Sequence, residues 1–358
     1  MILFPLKVIQ IKKETAECVS IQLKPNPEHQ EFFRNFKPGQ YLTFEINLEG
    51  EKIRRSYSLS SSPFSNEPLT VAVKKVSGGR ISVFLNEQLQ IGDILWSSKP
   101  QGVFTPEISL DRQIMYYLFA GGSGITPIFS ILKSILTQEP KSKVILLYAN
   151  RNKDSVIFRE ELTQLKTDYF PRFKYFQALD KSGVFWSGLR GPLKKQDFTD
   201  FYFKYSNHEL PEEFYVCGPS GMMKEVIEGL EAASVRRDKI KIEYFKAPDE
   251  KEKIEDRIQD HQLSDNKPTE ALIKLNGKVF TLLIPKNTTI LKAAQDTGLD
   301  PPYSCEAGVC STCMAKLKKG QVRMIENNIL TQKEVNEGFI LTCQSLCLTS
   351  KVEIEYLD

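Results

Sequence analysis

The sequence predicts three consecutive folding units: an antiparallel β-barrel, an open α/β domain on a parallel sheet, and a small α+β domain at the C-terminal end. Three observations predict this. The 358 residues exceed what a single hydrophobic core usually organises. Near Asp111 the pattern changes from short apolar stretches between turns to strand–helix alternation. Farther on, the charged stretch Asp249–Lys267, whose aliphatic residues are Ile254, Ile258 and Leu263, interrupts the periodicity before a new hairpin signal. The expected boundaries are a barrel over 1–108, an α/β domain over 109–248, a solvated linker over 249–268 and an α+β domain over 269–358.

In the first segment, Leu6–Ile11, Cys18–Leu23, Tyr41–Ile46, Arg55–Ser60, Leu69–Val76 and Ile94–Trp96 read as strands. Turn signals at Pro38-Gly39, Pro63 and Gly78-Gly79 separate them. A short apolar helix fits Ile81–Leu89. In the second, Ile114–Ala120 is a continuous apolar run, as a strand buried on both faces would be. Helical spacing follows over Pro127–Thr137, then strand Val144–Ala149, helix Ser155–Lys166 and strand Phe173–Leu179. Phe214–Cys217, Gly221–Ala233 and Lys239–Phe245 complete the domain. In the third, Ala271–Leu275 and Lys278–Ile284 flank Asn276-Gly277, a two-residue hairpin turn. Thr288 or Thr289 can cap a helix over Ile290–Thr297, which Gly298 ends, and Lys351–Tyr356 is a last strand.

Composition excludes several classes. Basic and acidic residues number 48 and 45, a net charge of +3, which gives no reason to expect nucleic-acid binding. No apolar run reaches the length of a membrane span. The opening residues lack the pattern of a signal peptide. With seven cysteines and no export signal, a reducing cytoplasm is the expected location, where clustered cysteines hold metal or do redox work.

Cys305, Cys310 and Cys313 stand at C-x4-C-x2-C, with Cys343 farther on. Four thiolates in this spacing suit a [2Fe–2S] cluster, and Ala307, Gly308, Ser311 and Thr312 are small enough for backbone N–H groups to approach the sulfurs. Zinc is the alternative for four cysteines, but zinc ribbons favour paired C-x2-C knuckles. Upstream, Arg55-Ser56-Tyr57-Ser58 lies on a strand, so Arg55 and Tyr57 share one face and Ser58 takes the other. A guanidinium can fork onto a pyrophosphate, and a tyrosine ring can cover a flat heterocycle. Gly78-Gly79-Arg80-Ile81-Ser82 leads into a helix whose first amides can face a diphosphate. Ala120–Pro127 joins a buried strand to a helix through Gly121, Gly122 and Gly124, with Thr126 placed to cap the helix and Pro127 suited to its first turn. Cys217-Gly218-Pro219 ends a later strand, at the edge where open α/β sheets bind ligands.

Pro302–Cys313 (PYSCEAGVCSTC) resembles the plant-type ferredoxin domain. Arg55–Ser58, Gly121–Pro127 (GGSGITP) and Cys217–Pro219 resemble the ferredoxin–NADP reductase superfamily. The order of the blocks looks like that of reductase components of oxygenases, such as the phenylacetyl-CoA epoxidase and ketosteroid hydroxylase types. The resemblance implies an FAD-binding barrel, an NAD(P)-binding domain and a β-grasp ferredoxin domain. It assigns pyrophosphate contact to Arg55, ring stacking to Tyr57 and the flavin edge to Ser58, with Ser56, Ala72, Val73, Lys74, Gly78, Gly79, Arg80 and Ser82 lining the flavin. It places Gly121, Gly122, Gly124, Thr126, Pro127, Gly218 and Pro219 on the nucleotide, Thr126 beside the flavin, and Cys217 near the nicotinamide. An aromatic near the flavin ring is implied at Tyr244 or Phe245. FAD is favoured over FMN by the glycine turn and helix. NADPH is favoured over NADH because Asn150 and Arg151 stand where a 2′-hydroxyl reader would be acidic.

The implied activity is hydride transfer from NAD(P)H to flavin, then single-electron transfer through the cluster to a protein acceptor, expected to be an oxygenase or hydroxylase component. The rival readings are a redox-sensing flavo-iron–sulfur subunit and a reductase for another acceptor, such as a nitrosative-stress protein or a fatty-acid hydroxylase.

Overall fold

In a computed structural model, the structure describes residues 1–206, 208–245 and 268–356. The expected linker lies outside the described residues except for Pro268. The chain forms two compact units: Leu3–Glu243, and Tyr244 onward together with Met1–Ile2.

The larger unit begins with strands β1 (Phe4–Thr15), β2 (Cys18–Pro25), β3 (Tyr41–Leu48), β4 (Glu51–Ser58), β5 (Leu69–Lys74) and β6 (Ile94–Ser97). They pair in the order β4-β3-β6-β1-β2-β5, antiparallel throughout. The end strands meet where Leu59 bridges Val71 and the Ser60 N–H donates to the Thr70 carbonyl at 2.8 Å, so the sheet curls onto itself as the predicted barrel. Alternation sends Phe4, Leu6 and Val8 of β1 inward to a core shared with Ile21, Leu42, Phe44, Val71 and Val73. Two helices, α1 (Gln30–Arg34) and α2 (Arg80–Glu87), accompany the barrel.

The second sheet is parallel at every pairing. It comprises β7 (Met115–Gly121), β8 (Lys143–Asn150), β9 (Phe173–Leu179), β10 (Leu189–Arg190), β11 (Glu212–Cys217) and β12 (Ile240–Glu243), in the order β10-β9-β8-β7-β11-β12. Every residue of β7 is buried, because helices cover both faces. Helix α3 (Ile125–Gln138) packs against Tyr116, Leu118 and Ala120. The opposite face carries Phe119 against Phe198 and Phe201, at ring separations of 5.9 and 6.2 Å. Those two rings belong to a helix outside the expected elements. No element is expected between Leu179 and Phe214, yet β10 and α5 (Lys195–Tyr205) occupy it. Phe and Tyr are mediocre helix formers, so the tertiary contact with β7 carries this helix. Helix α4 (Arg159–Asp168) starts at Arg159 rather than Ser155, because Asn152 and Ser155 cap each other in a separate 3₁₀ turn. Helix α6 (Ser220–Ala232) follows β11.

In the smaller unit β13 (Thr269–Leu275) and β14 (Lys278–Ile284) form the expected hairpin. Asn276 and Gly277 take φ of 50° and 73°, as a type I′ turn requires. Helix α7 (Ile290–Asp296) is capped by Thr289, whose hydroxyl accepts from the Lys292 N–H, an interaction worth about 1 kcal/mol. Strands β15 (Met314–Lys319), β16 (Val322–Met324), β17 (Phe339–Leu341), β18 (Ser345–Cys347) and β19 (Lys351–Tyr356) complete the fold, with short helix α8 (Gln332–Asn336) before β17. The main sheet runs β14-β13-β19-β15-β17, with β13 parallel to β19, and α7 covers it through Ile290, Ala293 and Ala294. This is the α+β, β-grasp-like arrangement expected. Among the described residues no helix is long and apolar enough to cross a membrane.

Candidate functional site

Strand β4 carries the Arg55–Ser58 block. Pairing with β3 alternates its side chains, leaving Arg55 exposed, Tyr57 half-buried and Ser58 buried. The Tyr57 ring stacks on that of Phe44 at 5.9 Å, tilted by 30°, which restrains its orientation. Ser56 shares a hydrogen bond of 2.9 Å with Thr43. The Arg55 guanidinium donates to the Arg54 carbonyl at 2.7 Å. Arg54, not singled out from sequence, is buried and bound to Glu45 through Nε and Nη2 at 2.9 and 2.6 Å. Loss of either partner would strand a buried charge at a cost of about 3–5 kcal/mol. It is therefore a scaffold for the face that Arg55 and Tyr57 present.

On β5, Ala72 and Val73 are buried and Lys74 is half-buried. Gly78 stands in open space and Gly79 precedes the first turn of α2. Two candidates in this turn are engaged within the protein. Arg80 pairs with Glu51 at 2.5 Å and reaches the Leu48 carbonyl. The Ser82 hydroxyl accepts from the Val76 N–H at 3.0 Å and donates to the Gly79 carbonyl. Both therefore stabilise the turn, as does the Gly79 N–H, which donates to the Val76 carbonyl at 2.9 Å.

The nucleotide turn differs from expectation in one respect. Thr126 does not cap α3. The helix begins at Ile125 after a 3₁₀ turn over Gly122–Gly124, with Gly124 at the cap position. Already inside the first helical turn, Thr126 donates its hydroxyl back to the Ser123 carbonyl at 3.0 Å, and Pro127 follows one position later. The glycines answer to a close approach: a Cβ on Gly124 would lie 2.2 Å from the Cys217 carbonyl oxygen, and one on Gly121 would lie 2.6 Å from Pro219. The turns ending β7 and β11 thus pack backbone to backbone, bringing Gly121, Gly124, Cys217, Gly218 and Pro219 together. Tyr148 braces the turn by donating to the Gly122 carbonyl at 2.9 Å.

Four residues stand at or just past the carboxyl ends of the parallel strands: Asn150, Arg151, Cys217 and Glu243. Asn150 ends β8 buried, and neither its Nδ2 nor its Oδ1 makes a hydrogen bond of normal geometry among the described residues. Arg151 follows, exposed, and its carbonyl accepts from the Lys181 N–H at 2.7 Å. Cys217 is fully buried, and burial pushes its thiol well above the usual range, so it is a neutral group. Opposite Cys217 in the β11–β12 register stands Glu243, 4% exposed, with Oε2 unpartnered among the described residues. Burial pushes its carboxyl up to about 8. A carboxyl at the end of a strand with apolar neighbours Ile240 and Ile242 was the signal that could have marked Glu243 in the sequence. Phe245 lies two residues beyond it and is 41% exposed.

In the smaller unit Cys305 is half-buried and Cys310, Cys313 and Cys343 are buried, all without disulfides. Cys310 Sγ approaches Cys305 Sγ to 3.1 Å, and Cys343 interacts with both Cys305 and Cys313. The Ala307 N–H donates to Cys305 Sγ at 3.4 Å, the backbone-to-sulfur approach the small loop residues allow. With these partners the Cys305 thiol is held well below its usual range. Thr342 ties the segments together by donating its hydroxyl to the Cys313 carbonyl at 3.0 Å and accepting from Tyr356 at 3.0 Å. Among the described residues no three Cys, His, Asp or Glu side chains are arranged to hold a single metal ion. Cys347 is half-buried on β18, its thiol pushed up to about 11 by burial.

Sequence profiles place an oxidoreductase FAD-binding domain at residues 5–105, an oxidoreductase NAD-binding domain at 118–228 and a 2Fe-2S iron-sulfur cluster binding domain at 273–348. Over 98% of its length the chain is 33% identical to one of the proteins that make up the 1,2-phenylacetyl-CoA epoxidase of Escherichia coli, covering 97% of that protein. The chain belongs to the ferredoxin–NADP reductase superfamily, in the branch with a C-terminal ferredoxin domain. The reductase is also 33% identical to the ferredoxin reductase component of 3-ketosteroid-9-alpha-monooxygenase from Rhodococcus rhodochrous, over 98% of the chain and 96% of that protein. Its fold matches phthalate dioxygenase reductase with a TM-score of 0.59 and 23% identity, across 99% of this chain and 98% of that one.

The reductase is an NAD(P)H oxidoreductase of the FAD and [2Fe–2S] type, and its residues fit all three groups. Gly78 leaves open space at the turn before α2, the buried Asn150 amide and Glu243 Oε2 make no hydrogen bond of normal geometry among the described residues, and Cys305, Cys310, Cys313 and Cys343 are free thiols.

Two outcomes are expected. Cys310→Ser should lose iron while retaining stoichiometric flavin, measured by iron content and visible absorbance; full iron retention would contradict its place among the cluster ligands. The second concerns Glu243. Its carboxyl ionises near 4.5 when unfolded and near 8 when buried, so the folded state holds an extra proton between these values. Stability therefore falls as pH rises from about 4.5 to about 8 and then levels. Melting temperatures of Glu243→Gln should lack that decline, and an unaltered slope would mean that the buried carboxyl is already ionised.

Proposed function

We propose that the chain is the reductase component of an oxygenase or hydroxylase system, taking hydride from NADPH and delivering single electrons through its cluster to the oxygenase. The observation that carries the acceptor class is full-length similarity to reductases named for such systems. Bound flavin supplies the conversion between a two-electron donor and a one-electron acceptor, and a plant-type cluster, at about −400 mV, is reducing enough to pass the electron onward.

Each cofactor would be held by residues of the segments described above. Arg55 and the Gly78-Gly79 turn, whose Gly79 N–H is already held by the Val76 carbonyl at 2.9 Å, would take the FAD pyrophosphate, with Ser56, Arg80 and Ser82 supporting that surface. Tyr57 would lie along the ring system, and Ser58, Ala72, Val73, Lys74 and Thr126 would border it. Tyr244 or Phe245 would supply the aromatic expected near the flavin ring. Gly121, Gly122, Gly124, Pro127, Gly218 and Pro219 would receive the nucleotide through backbone approach, with Cys217 beneath the nicotinamide. The Cys217 thiol, neutral and buried, excludes water and offers bulk rather than nucleophilic chemistry. Asn150 would bind the ribose and Arg151 the 2′-phosphate. Cys305, Cys310, Cys313 and Cys343 would ligate the irons. Seven free cysteines suit a reducing cytoplasm.

Arg151 tests the nucleotide preference. Its loop is ordered by the Asn152–Ser155 capping pair and by the Lys181 hydrogen bond, so its position does not depend on its own side chain. Arg151→Ala should raise KM for NADPH by about 10- to 150-fold, the worth of one charge-assisted hydrogen bond, and leave NADH nearly unaffected. Equal changes for the two nucleotides would remove Arg151 as the selector.

A further inference from the structure

The loop leaving the flavin strand and the helix leaving the nucleotide turn are joined directly. Glu67 is the node. Its Oε1 accepts from the Ser62 N–H at 2.7 Å and the Ser65 hydroxyl at 2.7 Å, ordering the loop that follows β4. Across the domain boundary the same carboxylate accepts from Lys133 of α3 at 2.7 and 2.6 Å. Lys133 is 17% exposed and Glu67 32%, so this pair is better shielded than an ordinary surface ion pair. The ammonium also lies 4.6 Å from the centre of the Phe129 ring, which is stacked on Phe158 at 4.4 Å.

Beneath this pair the contact continues in fully buried side chains. Ser130 donates to the Ser61 carbonyl at 2.6 Å, and Ser134 and Ser62 share a hydrogen bond of 2.8 Å. An apolar boundary would let the domains slide, because hydrophobic contact is non-directional; hydrogen bonds and an ion pair define one register. Ser61 lies three residues after Ser58, and Lys133 two turns into the helix that begins at Ile125.

We propose that Glu67 and Lys133, with the Ser61–Ser130 and Ser62–Ser134 hydrogen bonds, form an interdomain latch of positioning residues that sets how the nicotinamide meets the flavin. The latch rests on the reading that Arg55–Ser58 binds flavin and Gly121–Pro127 binds the nucleotide. It touches neither ligand. Its effect is on orientation, to which transfer between bound groups is steeply sensitive.

The test uses the full-length holoprotein. Lys133→Met keeps most of the side-chain stem and removes the charge, Glu67→Gln removes the opposite charge, and Lys133→Arg restores the pair. Lys133→Met and Glu67→Gln should each lower kcat for NADPH-dependent ferricyanide reduction about tenfold, with KM within twofold and flavin content unchanged. The long-wavelength charge-transfer absorption of the reduced protein with NADP⁺ should weaken, and the isotope effect with 4-deuterated NADPH should rise. The double variant should be no slower than either single one, and Lys133→Arg should recover most of the rate. Unchanged kcat and charge-transfer absorption would overturn the latch, as would losses that Lys133→Arg fails to rescue. An Arg55→Ala control separates the underlying reading: lost flavin supports it, and full flavin retention overturns that reading and the latch with it.

Discussion

Two strand-to-helix turns, after β7 and after β11, meet with less than a methyl group of space between them. The Gly124 backbone faces the Cys217 carbonyl so closely that a Cβ would sit 2.2 Å from its oxygen. This contact dictates the rest of the nucleotide edge. It allows β7 and β11 to be neighbours and sets the Cys217 carbonyl against Gly124 at the start of α3, with Glu243 beside Cys217 in the β11–β12 register. Burial then does the electrostatic tuning: a thiol and a carboxyl removed from water both favour their neutral forms.

The barrel depends on the same helix. Cys18 and Ala72 belong to the core built around α3 and β8 rather than to the barrel interior, so the flavin and nucleotide domains share apolar packing as well as the Glu67–Lys133 pair. Lys12 adds an ion pair to Glu161 of α4. The shared core supplies most of the adhesion and the polar contacts supply its register. The smaller unit is organised differently: its core lies between α7 and the mixed sheet, and a second apolar group gathers Leu291, Leu330 and Leu341 around Cys313 and Cys343. That apolar surround shields the cysteine loop from water, a lever on cluster potential.

Much of this was legible in the sequence because strand alternation and turn chemistry agree locally. Asn276-Gly277 demanded its hairpin, and the unbroken apolar run at β7 demanded a strand covered on both faces. The cysteine spacing and the glycine turns marked three sites without any knowledge of contacts. What escaped depended on tertiary context. Helix α5 is held by Phe198 and Phe201 on Phe119, residues whose intrinsic preference gives little warning. Cys18 starts an expected barrel strand, and alternation tells which face of a strand is buried but not against what, so its place in the core around α3 was not legible. Thr126 looked like a cap, and the 3₁₀ turn over Gly122–Gly124 shifted the helix start past that role. Arg54, Glu67 and Glu243 are charged residues whose importance lies in partners, or their absence, that only the fold reveals.

The central claim is an order of reduction: nicotinamide to flavin, then flavin to cluster, then outward. Anaerobic rapid mixing of the holoprotein with NADPH, following flavin absorbance and the cluster signal in the same samples, tests it most directly. Flavin bleaching should come first, the cluster signal should grow only afterwards, and protein stripped of flavin but retaining its iron should show no cluster reduction. Cluster reduction by NADPH in the flavin-free protein would contradict the account.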